Sequence, residues 1–293
     1  ILYLRRLFKF NIMDNLVLNG AKEICRCIEN ALNSDDAAII GRNGTIELEQ
    51  MISYNKYKVS VLEMNAGIFP EAIVPIWREI SIDATSDSDV LATGWYEPLK
   101  LAEQDALKEW NCKAIQIPLR SLEPYYVPSE ERWSRFLKGQ TVSVISCFTK
   151  TMKSQVPKLD KLFPSDIFPS EINWNWVQTG HPPRLARGFN EWPSHIKSSI
   201  DAVDWIVSEV VKHGSRFALI GCGGIGMLVA LKLKERGVIA IVLGGAIQVL
   251  FGIKGRRWEN HSVISKFWNK YWVSPSEAET PAGCSAIEGG CYW

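Results

Sequence analysis

FALIGCGGIGMLVALKLKERG, residues 217–237, reads as a buried strand that runs into a glycine turn and then a helix. Gly221, Gly223 and Gly226 keep the G-x-G-x-x-G spacing, with Gly224 between them. At such a turn, backbone N–H groups and a helix N-terminus can face a phosphate. The strand is expected over Arg216–Ile220 and the helix over 225–236. A dinucleotide enzyme also wants an acidic residue about 20 positions later, at the end of the next strand, to hold ribose hydroxyls. Here the strand 238–243 ends in Leu243-Gly244-Gly245. An NAD- or S-adenosylmethionine-dependent enzyme is thereby disfavoured against a different nucleotide pose. The same glycines also read as tight helix–strand packing, Gly226 above all.

Moving outward, the same alternation repeats. Apolar positions from Leu16 to Leu32 have helical spacing over 14–33, and Ala37-Ala38-Ile39-Ile40 is a short apolar run ending at Gly41. A helix is expected over 45–54 with Thr45 as N-cap, and another over 71–82, opened by Pro70. Strands are expected at 89–92, 113–117 and 141–146, and around Ile172–Val177, where Trp174 and Trp176 would share one face. Helices are expected at 98–109, 129–138 and 195–213. Strands alternating with helices predict a Rossmann-like α/β fold: a doubly wound, mainly parallel sheet with helices on both faces. Residues 13–293 read as one domain, and the basic, apolar residues 1–12 as an N-terminal extension.

Composition narrows the partners. A chain of 293 residues with 46% hydrophobic and 22% charged residues can bury one large core. A formal net charge of +1 offers no general attraction to nucleic acid, so phosphate binding has to be local. Seven cysteines are an odd number, scattered through a chain too long to need staples; they suggest free thiols and a cytoplasmic setting. No other long apolar run follows the first twelve residues, so no transmembrane segment is expected. Twelve tryptophans are rich usage. Most are expected to pack, and a few to stack on sugar faces. Oligomeric state is not legible.

The second site signal is IIGRNGTIELEQ, residues 39–50. Arg42 stands at a strand end between Gly41 and Gly44, with Asn43 beside it, and its guanidinium can fork onto a diphosphate. Glu47 sits one turn into the following helix and points back toward the same crevice. A loop arginine paired with Glu47 is the bland alternative.

The run Arg42-Asn43-Gly44-Thr45-Ile46-Glu47 resembles the Arg-Phe-Gly-Asp-Gly-Glu signature of the GT-D fold glycosyltransferases, a group once known only as a domain of unknown function. The resemblance extends through Asn65-Ala66-Gly67-Ile68-Phe69-Pro70, the strand at 141–146 and the turn–helix–strand from 216 to 245. It implies transfer of a hexose from a nucleotide-sugar donor, typically a UDP-sugar, to a glycan or sugar hydroxyl. It further implies Mn²⁺ or Mg²⁺ held on the diphosphate by an Asp-x-Glu motif. This sequence departs from the motif, because its Asp falls on Thr45 and Glu47 is the only metal candidate. Glu47 then either keeps a metal or acts as general base, with Arg42 and the segment Lys254–Arg257 meeting the leaving diphosphate. A non-catalytic nucleotide-sugar-binding relative is the alternative.

The expected site is therefore Arg42 and Glu47 as catalytic groups, and Gly41, Asn43, Gly44, Thr45, Asn65, Gly221, Gly223, Gly224, Gly244, Gly245 and Gln248 around the donor. Asn65 also reads as a turn residue, and Gln248 as packing. Tyr125 and Tyr126 are candidates for stacking on a base or sugar, His181 reads as plain loop, and the ending 279–293 as a tail lying near the crevice.

Overall fold

The computed structural model describes residues 15–55, 59–186 and 190–293; the expected extension 1–12 lies outside the described residues. Helix α1 (Asn15–Asn33) leads into β1 (Ala38–Arg42), α2 (Thr45–Ile52), a single π turn (Leu62–Ala66) and α3 (Val74–Ser86). Then come β2 (Val90–Ala92), α4 (Lys100–Glu109), β3 (Ile115–Ile117), β4 (Thr141–Ser146), α5 (Thr149–Gln155) and β5 (Asn173–Gln178). The chain continues through α6 (Ser199–Lys212), β6 (Phe217–Gly221), α7 (Gly226–Lys234), β7 (Ile239–Val242) and α8 (Ala246–Leu250).

The seven strands form one sheet in the order β3-β2-β1-β7-β6-β4-β5, and every pairing is parallel. Alternate strand residues feed two apolar layers, as a parallel sheet covered on both faces requires. On one face Ile40, Val90, Val144, Leu219 and Ile241 pack with Ile24 and Ile28 of α1. On the other, Ile39, Leu91, Ile145, Ala218 and Ala240 meet Trp77 of α3, Val203 and Ile206 of α6, and Leu228 and Val229 of α7. Trp174 and Trp176 do share a face of β5, their rings stacked at 5.8 Å and set against Phe251.

Several expected boundaries shift for local reasons. Residues 129–138 form two 3₁₀ turns instead of a helix. Between them the buried Arg132 is extended and donates to the Pro124 and Val127 carbonyls, while Trp133 donates to the Leu122 carbonyl at 2.9 Å. Two adjacent buried side chains anchored to loop carbonyls leave no room for helical dihedrals. Helix α6 begins at Ser199, because Ser198 and Asp201 close a capping box that fixes its first turn. Thr45 is the first residue of α2 and not its cap; Gly44 takes the N-cap position without a side-chain bond. Pro70 opens a 3₁₀ turn, and the α-helix starts only at Val74. Among the described residues, no helix is long and apolar enough to cross a membrane.

In this topology β1 to β3 step outward from the middle of the sheet. β4 and β5 lie at the far side, and β6 and β7 step back to meet β1. The carboxyl ends of β1, β7, β6 and β4 therefore stand side by side, the place where ligands gather in open α/β sheets.

Candidate functional site

A cavity of 560 Å³ opens over those carboxyl ends. Its lining includes Arg42, Gly44, Thr45, Glu47, Asn65, Gly221, Gly223, Gly244, Gly245 and Gln248, so segments two hundred residues apart converge as expected. Gly41, Asn43 and Gly224 are absent from that lining. Successive residues at a strand end point to opposite sides, so Arg42 faces the cavity while its neighbours turn away. A side chain at Gly41 would meet Val242 and Met227, and the buried Asn43 exchanges hydrogen bonds with Thr85 on α3 at 3.2 and 3.3 Å. Gly224 packs on Ala66 and Ile68, and its carbonyl accepts from Trp77 Nε1 at 2.8 Å. These three are packing residues.

Arg42 occupies the centre. Its guanidinium lies over the Trp95 ring, 4.5 Å from the centroid, and its Nε donates to the Asn43 carbonyl at 3.0 Å. Its other side is closed by Gly244, whose backbone has φ of +58°; a Cβ there would sit 2.7 Å from the guanidinium. A left-handed glycine thus makes the space that Arg42 fills. Burial pulls Arg42 below the ordinary guanidinium value, opposed by the charges of Glu47 and Glu123. Where a dinucleotide enzyme places an acidic residue, at the end of β7, this fold presents a cation.

The carboxylate of Glu47 folds back over Gly44, next to its own backbone N–H in the first turn of α2. Burial pushes its pKa up, with that N–H and Arg42 acting the other way. Thr45 supplies only a hydroxyl beside it. No group of three or more His, Cys, Asp or Glu side chains gathers as a metal site among the described residues. Hard divalent ions on a diphosphate want one or two carboxylates in open geometry, and the donors here do not fit that need.

The second glycine turn is fixed by close approach. Gly223 has φ of +63°, and a Cβ on it would lie 2.6 Å from the Ala66 carbonyl. This locks the turn after β6 onto the π turn that carries Asn65. Of the basic segment 254–257 only Arg257 reaches the cavity, where it pairs with Glu288 and lies over Tyr292 at 4.6 Å. Lys254 is elsewhere, over Trp268.

Glu123 and the role of His181 at the site were not legible beforehand, whereas the tail 279–293, expected near the crevice, does lie against it. Glu123, from the loop after β3, lines the cavity, and burial lifts its carboxyl to about 7 against the pull of the Tyr125 hydroxyl, Arg42 and Arg120. His181 follows the end of β5, is 7% exposed, and burial drives its imidazole down to about 4. Its position just past a strand's carboxyl end was the available signal. The tail residues Ile287, Glu288, Tyr292 and Trp293 close one side. They are held by Glu279, which is fully buried and accepts from the backbone N–H groups of Lys150 and Thr151 at 2.7 and 3.1 Å, and from the Ser276 hydroxyl at 2.8 Å. Tyr125 and Tyr126 do not line the cavity: Tyr125 is stacked on Phe163, 5.8 Å between centroids, and Tyr126 lies under Arg120. Of the twelve tryptophans, Trp95, Trp258 and Trp293 face the cavity.

No family model matches the sequence, and no curated protein matches it. Two solved structures share part of its chain path. One is a selenomethionine-substituted structure of domain of unknown function 1792, with a TM-score of 0.44 and 15% identity over 79% of this chain and 82% of that one. The other, described as the same domain with a distinct glycosyltransferase fold, has a TM-score of 0.42 and 15% identity over 78% and 81%. Likeness at this level carries nothing about ligand or activity.

Proposed function

We propose that this chain transfers a hexose from a nucleoside-diphosphate sugar, a UDP-sugar in particular, to a hydroxyl of a sugar or glycan. The observation that supports it is the convergence of Arg42, the turn 221–223 and the turn 244–245 on one 560 Å³ cavity, a volume suited to a ligand of that size. The resemblance of residues 42–47 to a glycosyltransferase signature points the same way.

In this reading the acceptor oxygen attacks the anomeric carbon as the bond to the diphosphate oxygen breaks, and that oxygen keeps the electron pair. Arg42 and Arg257 meet the charge that develops on the leaving diphosphate, in a site where burial strengthens each interaction. Glu47 takes the acceptor proton; a carboxylate with a raised pKa is the better base near neutral pH. Thr45 and Glu47 make a poor donor set for a divalent ion, so the arginines carry the stabilisation of the leaving diphosphate.

Radiolabelled UDP-hexose, incubated with a panel of sugar acceptors, reads transfer directly. Wild type is expected to transfer, Glu47→Gln to lose transfer while still binding donor, and Arg42→Ala to lose donor affinity. Full transfer by Arg42→Ala rules the assignment out.

A further inference from the structure

Residues that line the cavity carry buried polar atoms without hydrogen-bond partners. Six buried side-chain polar atoms among the described residues have no hydrogen-bond partner, and three of them, on Asn65, His181 and Gln248, belong to residues lining this one cavity. A buried polar atom without a partner costs free energy, so three around a single cavity point to a ligand that completes them.

The chemistry of two of them is determined by their surroundings. Gln248 donates its amide nitrogen to the carbonyls of Lys254 and Tyr292 at 2.8 and 2.7 Å. Both partners accept only, so the amide cannot be reversed, and Oε1 is the atom left open. It is an acceptor and needs a donor opposite. An ionised diphosphate offers none. His181 is neutral at physiological pH, because burial without a charged partner holds its imidazole at about 4. Its open Nε2 can therefore trade hydrogen bonds with a hydroxyl but brings no charge to a phosphate.

The two are joined along one wall. The His181 ring lies 6.0 Å from that of Trp293, Trp293 stands edge-on to Tyr292, and Tyr292 supplies the carbonyl that orients Gln248. The backbone of His181 is held in turn. Its N–H donates to the Asn190 carbonyl at 2.8 Å, and the Asn190 side chain donates to the carbonyls of Cys147 and Thr179. The imidazole is placed by the end of β4 and not by a free loop.

We propose that His181 and Gln248 form a subsite that reads the hydroxyls of the transferred hexose, with Trp293 as the apolar surface between them. The arginines and glycine turns hold the diphosphate, and this wall holds the sugar. The inference rests on the donor reading above and adds the residues that recognise its sugar.

Calorimetric titration with UDP, UDP-glucose and methyl glucoside separates the possibilities. His181→Phe is expected to weaken UDP-glucose about tenfold, the worth of one lost hydrogen bond, and to leave UDP unchanged. His181→Gln, which returns an amide near the position of Nε2, is expected to recover most of that loss. UDP affinity in the same variants reports their folding. Deoxy analogues of UDP-glucose on the wild-type protein avoid the variants altogether, and removal of the hydroxyl that is read is expected to cost about tenfold. Equal weakening of UDP and UDP-glucose by His181→Phe, or deoxy analogues that all bind like the parent, overturns the subsite while leaving the donor reading intact. Loss confined to methyl glucoside overturns it in favour of an acceptor role. Wild-type protein that binds neither UDP nor UDP-glucose sinks both together.

Discussion

The lock between the turn after β6 and the π turn can be tested by one methyl group. Gly223 and Gly214 have nearly the same backbone, φ of +63° and +61°, but different surroundings: a Cβ on Gly223 would lie 2.6 Å from the Ala66 carbonyl oxygen, and one on Gly214 has nothing within 4 Å. Alanine at either position pays a left-handed backbone cost of about 1–2 kcal/mol, partly offset by a less flexible unfolded chain. Only Gly223→Ala must also displace a neighbouring backbone, which cannot rotate away as a side chain would; forcing atoms into a packed site costs about 1–3 kcal/mol more. The backbone term cancels between the two variants. Gly223→Ala is therefore expected to be less stable than Gly214→Ala by about 1–3 kcal/mol. Urea unfolding followed by tryptophan fluorescence reads the difference as a lower midpoint with an unchanged slope. Equal losses would mean that Gly223 is not wedged against Ala66, and the lock between the two turns would be refuted.

Other perturbations reach separate parts of the molecule. Glu279→Gln leaves one acceptor oxygen where a carboxylate served the 150–151 backbone, Thr151 and Ser276. A loss of about 2–4 kcal/mol is expected by urea unfolding, and a loss under 0.5 would show that the tail is not anchored there. His181 has a folded pKa of about 4 against an ordinary 6.5, so the unfolded chain binds the extra proton between those values. Its contribution is complete above pH 6.5 and declines by about 3 kcal/mol as pH falls to 4. The stability gap between wild type and His181→Gln should narrow over that window, and a gap independent of pH contradicts a buried neutral imidazole. Glu123, raised from 4.5 to about 7, has the opposite sign. Wild type should lose stability relative to Glu123→Gln as pH rises from 4.5 to 7, and a constant difference between their melting curves counts against burial of that carboxyl. Because Thr45 and Glu47 are a poor metal pair, UDP affinity should be the same in Mn²⁺ and in EDTA; a tenfold rise with Mn²⁺ would show otherwise.

The order of elements was readable because the inner strands are short apolar runs buried on both faces, and because Gly221, Gly223, Gly244 and Gly245 mark where strands end. Arg42 and Glu47 were readable for a local reason too, since a strand end and a first helical turn leave few directions in which to point. The sequence alone therefore determined a parallel α/β sheet with glycine turns and one arginine at its carboxyl edge. Tertiary structure decided the strand order, and with it which turns became neighbours: β7 falls between β1 and β6 only because long-range pairing puts it there. It also decided that Arg42 faces inward while Gly41 and Asn43 do not, and that Glu123 and His181 join the site. Both come from loops, where no periodicity ties residue to direction. Their placement is set by contacts with partners far along the chain, which a linear pattern does not record.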